Sequence, residues 1–349
     1  MTQASPLTVL DSLNLALHQA FVDDPQAVLL GEDVLDPYGG AFKVARGLST
    51  AFPERVLTTP ISEAGITGIA GGMALRGMHL VVEIMFGDFI TLTADQVINH
   101  LTKFHDMYNG QVDVPVVIRT PMGGRRGYGP THSQTLEKLF LGVPGLTVLA
   151  PFHIKGLNPL GAPGQLLYET ITRLNSPAFF VENKLQYLLK LLTPEKLAEY
   201  DFIETTTSEK IGAPTYTLSL KDAPRPQLTL TAYGYMAYLA LEALHTLAYE
   251  DEIFCDLVVP TQLAPFELGP LFQSVRKTGR LLTLEEGTLS LGWGSEVLAR
   301  AAETLGPEMK RFGRIAARET VIPVSPDLED EYLPGLPAIL SAAREMVAV

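Results

Sequence analysis

The chain has little cysteine, little charge and few basic residues. One residue in 349 is cysteine, Cys255. An intrachain disulfide is therefore excluded, and a reducing compartment is the expectation. Cys255 lies in the apolar run Ile253-Phe254-Cys255, where a small buried hydrophobe is its ordinary role. Charged residues make up 19%, and 26 Lys and Arg stand against 39 Asp and Glu, a formal net charge of −13. Such a surface repels a phosphate backbone, so nucleic acid is not an expected partner. No apolar run approaches the ~20 residues that cross a bilayer. The opening Met1-Thr2-Gln3-Ala4-Ser5-Pro6 has no basic stretch ahead of an apolar core. The expectation is a cytoplasmic protein without a membrane partner.

Hydrophobic residues reach 46%, enough for two ordinary cores in a chain of this length. Ser5-Pro6 reads as a helix start, with Ser as the cap and Pro in the first turn. Leu10, Leu13, Leu17 and Phe21 then follow at helical spacing. Short apolar runs at 79–84, 114–119, 146–150 and 178–182 alternate with helix-like stretches. That alternation predicts an α/β fold with parallel strands buried on both faces. From 191 to 226 the pattern weakens, and Thr205, Thr206, Thr207 and Ser208 with Pro214, Pro224 and Pro226 read as a linker or irregular crossover. A second α/β block follows, with strands at 228–232, 253–259, 280–284 and 313–317 and helices near 236–249, 268–277 and 294–305. The division is 1–190, 191–226 and 227–349.

The polar clusters lie mostly in the first block. Ile61-Ser62-Glu63 follows a strand-like run and opens a stretch with glycines at 65, 68, 71 and 72. Glycines at that spacing allow close backbone approach, and they match neither a dinucleotide fingerprint nor a Walker loop. A Glu at a helix start is ordinarily a solvated residue favoured by the dipole. Held at the end of a tightly packed helix it is poorly hydrated and suited to sharing a proton. Phe86 and Phe89 follow a strand directly, either as core or as an aromatic face for a flat ring. The loop Met122-Gly123-Gly124-Arg125-Arg126-Gly127-Tyr128-Gly129 leads into His132-Ser133-Gln134. His132 is the leading acid–base candidate among seven histidines. Ser133 lacks a nucleophile elbow, and His100 and His105 lack zinc-ligand spacing. Arg125 and Arg126 read as steering charges for an anion, as loop charges or as contacts to another chain.

In this order, these clusters resemble the beta subunits of thiamine diphosphate-dependent 2-oxo acid dehydrogenases. The likeness runs almost end to end. It includes Gly31-Glu32-Asp33-Val34, Gly39-Gly40-Ala41-Phe42, Thr59-Pro60-Ile61-Ser62-Glu63, Glu83 to Phe89, Gln96, Asn99, His132-Ser133-Gln134, Pro144-Gly145-Leu146, Lys277-Thr278-Gly279-Arg280 and Glu285-Glu286. It implies a transketolase-like pyrimidine-binding domain followed by a transketolase C-terminal-like domain, each a three-layer parallel-sheet unit. It implies that Glu63 bonds the pyrimidine ring nitrogen of the cofactor and favours its imino tautomer. Phe89 would pack on that ring, with Ile61 and Phe86 lining the pocket. His132 would position a 2-oxo acid and support acyl transfer to lipoamide on a dihydrolipoyl acyltransferase.

The diphosphate end needs Mg²⁺, held in such enzymes by Gly-Asp-Gly and a later Asn. Gly87-Asp88-Phe89 lacks the second glycine. The resemblance therefore implies an alpha subunit that holds Mg²⁺ and the diphosphate, in an α₂β₂ heterotetramer. It leaves room for a K⁺ ion on backbone carbonyls. The loop Asn158 to Gly164, the double arginine Arg125-Arg126 and the loosely matched tail beyond Val321, which carries the acidic run Asp327, Glu329, Asp330 and Glu331, depart from the common pattern. The acidic run reads either as a solvated loop or as a contact to the acyltransferase's basic binding domain. A transketolase-like or acyloin-forming enzyme with a carbonyl acceptor is the alternative, and a non-catalytic scaffold is the third reading.

Overall fold

The computed structural model describes residues 7–206 and 211–348. Thirteen strands run in chain order: β1 Ala27–Gly31, β2 Val56–Thr58, β3 His79–Glu83, β4 Val116–Met122, β5 Thr147–Leu149, β6 Ala178–Asn183, β7 Tyr200–Thr206, β8 Pro214–Leu220, β9 Leu228–Ala232, β10 Cys255–Pro260, β11 Gln262–Ala264, β12 Arg280–Thr288 and β13 Arg311–Ala317. They form a seven-stranded sheet, β11-β5-β6-β4-β3-β1-β2, and a six-stranded sheet, β13-β12-β9-β10-β8-β7. β1 to β6 are mutually parallel, and every residue of β1, β4 and β6 is buried. Burial on both faces explains why these strands read as continuous apolar runs.

The helix Val9–Asp23 begins at Thr8, whose hydroxyl accepts from Asp11 N–H while the Asp11 carboxylate accepts from Thr8 N–H. This reciprocal box satisfies two orphan donors. The expected start at Ser5-Pro6 lies outside the described residues, and the cap is Thr8.

The stretch 191–226 corrects the reading of a linker. β7 and β8 pair antiparallel from Tyr200↔Leu220 to Thr206↔Pro214, and β8 joins β10 in the second sheet. Threonines and prolines suggest a loop by composition, yet Thr and Tyr are strand formers. Pro214 sits at the first residue of its strand, where a missing N–H is tolerated. A second surprise is β11. Its residues Gln262–Ala264 leave the second sheet and pair antiparallel with β5, completing the edge of the first.

Candidate active site

Five strand ends of the first sheet converge on the site. Glu32 follows β1, Thr59 to Glu63 follow β2, Phe86 and Phe89 follow β3, the glycine loop follows β4 and Lys184 follows β6. The carboxyl edge of an open parallel sheet is where chain reversals leave a crevice.

Glu63 is the first residue of the helix Glu63–Ala74 and is only 5% exposed. The stripe of small residues behind it is used in part. A side chain at Gly71 would meet Leu101 at 2.7 Å, whereas Gly72 faces open space. Glu32 is buried beside Glu63. Burial, then the negative field of Glu63, raise the Glu32 carboxyl above its ordinary range. One Glu32 oxygen, Oε1, has no hydrogen-bond partner. Ile61, two residues before Glu63, is 82% exposed.

Phe86, Phe89 and His132 come together from separate parts of the chain. The His132 ring stands edge-on to Phe86 at 4.7 Å and to Phe89 at 5.3 Å between centroids. Tyr128 meets Phe86 at 5.9 Å. The Thr131 hydroxyl lies 2.9 Å from His132 Nδ1. Asp88, between the two phenylalanines, is buried and accepts from both the backbone N–H and the side-chain amide of Gln134. Asp88 thus fixes the segment that carries His132.

The glycine loop is fastened to the second domain. Gly124 N–H donates to Glu286 Oε1 at 2.7 Å, and Asn183 donates to the other oxygen of the same carboxylate. Arg125 N–H and Gly127 N–H donate to the two oxygens of Glu329, at 2.8 and 3.0 Å. A Cβ at Gly124 would come within 2.6 Å of Leu333 and 2.9 Å of Glu329, so any larger residue there would have to displace the side chains of the brace. This corrects the reading of the acidic run. It forms the helix Pro326–Tyr332, Glu329 is buried, and Asp330 pairs with Arg125 at 2.8 Å. Arg125 is accordingly committed within the chain rather than free to steer an anion. Arg126 donates to the Lys184 carbonyl at 3.4 Å.

Beneath the site lies a charge cluster that sequence reasoning missed. Arg119, in the middle of β4, donates to Glu83 of β3 and in a fork to both oxygens of Glu182 of β6, at 2.9 and 2.6 Å. Tyr187 donates to the same Glu182. Arg119 and Glu182 are fully enclosed. Glu83 is pushed up by burial, against the pull of Arg119. Arg119 itself is held protonated: burial opposes its charge, and the two carboxylates outweigh that effect. An arginine flanked by valines and isoleucine in an apolar run was the available signal.

The site holds a buried carboxylate at a helix start, a cluster of aromatic rings and an imidazole on a braced loop. Residues 5–188 match the family described as "Transketolase, pyrimidine binding domain", and residues 219–339 match "Transketolase, C-terminal domain". The beta subunit of acetoin:2,6-dichlorophenolindophenol oxidoreductase of Cupriavidus necator is 33% identical, over 98% of each chain. The pyruvate dehydrogenase E1 component subunit beta of Leifsonia xyli subsp. xyli is 35% identical, over 98% of this chain and 95% of that one. This chain belongs to the beta-subunit family of the thiamine diphosphate-dependent 2-oxo acid dehydrogenases. A solved structure, "Split gene transketolase, inactive beta4 tetramer", shares the fold with a TM-score of 0.73 at 20% identity, over 98% of both chains. Family membership explains the convergence of the strand ends, since the first domain is the pyrimidine-binding type. The residues present fit a flat aminopyrimidine. Phe86 and Phe89 offer an aromatic edge, Glu63 offers a proton-sharing group, and the unpartnered Glu32 oxygen leaves acceptor capacity beside it. Among the described residues no cluster of His, Cys, Asp and Glu has metal-holding geometry, and no helix is long and apolar enough to cross a membrane.

Proposed function

We propose that this chain is the beta subunit of an enzyme that oxidatively decarboxylates a small 2-oxo acid and passes the acyl group to lipoamide on a dihydrolipoyl acyltransferase. Thiamine diphosphate supplies the carbanion chemistry when bound. Glu63 holds a proton against the pyrimidine ring nitrogen. Its burial at a helix start, next to the second carboxylate Glu32, is the observation that carries the proposal. A carboxyl in that setting exchanges a proton with a ring nitrogen without passing it through bulk water. Phe89 and Phe86 orient the ring, and Ile61 closes its edge. His132, edge-on to both phenylalanines, positions the substrate and serves as acid or base in the transfer to the acceptor.

The other half of the cofactor falls to an alpha subunit, which would hold Mg²⁺ and the diphosphate in an α₂β₂ assembly. Asp88 supports this division, because Gln134 already occupies one of its oxygens and the residue belongs to the aromatic rim. A K⁺ ion on backbone carbonyls and a cytoplasmic location complete the proposal. Within the acidic run, Glu329 and Asp330 are spent on the glycine loop, which leaves the exposed Asp327 and Glu331 for a contact to the acyltransferase.

The test is co-expression with the alpha partner, addition of thiamine diphosphate and Mg²⁺, and a screen of 2-oxo acids and acetoin with an artificial electron acceptor. Turnover of at least one 2-oxo acid, abolished by Glu63→Gln in an assembled complex, is expected. A complex with bound cofactor that turns over none of them would refute the dehydrogenase reading. Normal turnover by Glu63→Gln would refute the role given to that residue.

A further inference from the structure

Lys184 is a fully enclosed ammonium with no carboxylate in ion-pair contact among the described residues. It follows β6 directly, and its N–H donates to Met122 O at the end of β4, at 3.0 Å. Its side chain is 0% exposed. The Nζ donates to the main-chain carbonyl of His132. The same Nζ lies 5.2 Å from the centroid of the Phe86 ring and 5.6 Å from that of Tyr128. Both rings touch each other, and Phe86 touches His132.

Burying an ammonium is costly, and proteins pair such charges. Here one carbonyl oxygen and two aromatic faces replace the usual carboxylate. Arrangements of this kind order whatever donates the carbonyl and the rings, because the ammonium loses its compensation if they move. Burial pulls Lys184 down to about 8, opposed by the fields of Asp88, Glu286 and Glu329 and reinforced by Arg126. The ammonium therefore persists at neutral pH. Its contacts are to the backbone of His132 and to the ring on which His132 leans. They tie the end of β6 directly to the segment that carries the imidazole.

We propose that Lys184 is a positioning residue for His132, fixing the imidazole against Phe86 so that it meets the substrate and acyl acceptor in one orientation. The proposal rests on the role of His132 given above. On this reading Lys184 acts only through His132. Removing its charge should therefore leave assembly and cofactor binding intact and lower the step that His132 serves.

The experiment is a double-mutant cycle in the assembled enzyme with its alpha partner. Lys184→Met keeps the length of the side chain and removes donor and charge. In acyl transfer to a lipoyl domain, kcat should fall about tenfold, the size of one charge-assisted hydrogen bond. KM for the 2-oxo acid should change much less. In a His132→Ala background the same substitution should add almost nothing, since two residues acting through one imidazole are not additive. Full additivity, or an unchanged kcat for Lys184→Met beside an impaired His132→Ala, overturns the inference. An unimpaired His132→Ala instead overturns the role of His132 itself. Should Lys184→Met fail to assemble, Tyr128→Leu decides. Tyr128 is exposed and contributes one of the two rings. A smaller loss that vanishes in the His132→Ala background supports the inference, and an additive loss overturns it.

Discussion

Several of the most consequential residues carry buried charge. Arg119 balances Glu83 and Glu182 where water cannot reach. Arg119→Met would leave two carboxylates uncompensated and should cost about 3–5 kcal/mol, the usual penalty for breaking a buried pair; chemical denaturation of the assembled enzyme would measure it. Glu285 behaves in the opposite sense. It belongs to β12, its carboxylate accepts from Gly294 N–H in the first turn of the helix Trp293–Leu305 at 3.1 Å, and it is raised to about 7 by burial and then by Glu137. A carboxyl whose folded value exceeds its unfolded one binds more protons when folded. Its stabilising contribution is complete below about 4.5 and is lost as pH rises through about 7. Glu285→Gln should therefore flatten the fall in melting temperature between pH 5 and pH 7.5, provided melting is followed at both pH values in one buffer series. Glu63, Phe86, Phe89, Ile61 and His132 could be singled out as candidates because each sits in a short contiguous motif. Lys184 was not. A single lysine after an apolar strand carries no periodic signal, and only the fold shows what lies above it.

Among the elements, the glycine loop and its brace show where sequence reading stops. Most strands of the two sheets are visible as apolar runs with limits shifted by a few residues, and for those buried on two faces the burial leaves that trace. The brace joins Arg125 to Glu329 across 204 positions, and an acidic run reads as a solvated surface until its partner is known. Compositional reading also missed β7 and β8, where strand-forming threonines stood among prolines. The brace has a direct consequence for the loop. In Glu329→Gln one of the two acceptors becomes an amide N–H₂ facing another N–H, and the loop should loosen. Trypsin should then cleave after Arg125 or Arg126 several-fold faster than in the parent enzyme, because cleavage follows the population of the opened loop. Equal cleavage rates would show that Glu286 and the Arg125–Asp330 pair suffice to hold it.

For the whole molecule, the proposed division of the cofactor predicts that affinity belongs to the assembly. Calorimetry of this chain alone with thiamine diphosphate and Mg²⁺ should give weak or no binding, and the complex with the alpha subunit should bind at least a hundredfold more tightly; tight binding by the single chain would contradict the half-site. Ile61, 82% exposed next to the buried Glu63, is placed to be covered in that assembly. The two domains also share more than a boundary. β11 is contributed by the C-terminal half to the sheet of the N-terminal half, where it covers β5. A gene divided anywhere between the two blocks would yield an N-terminal product with an unpaired strand edge, open to association with any similar edge. Separated halves would be held together in part by these three residues, whose pairing closes the exposed edge of β5.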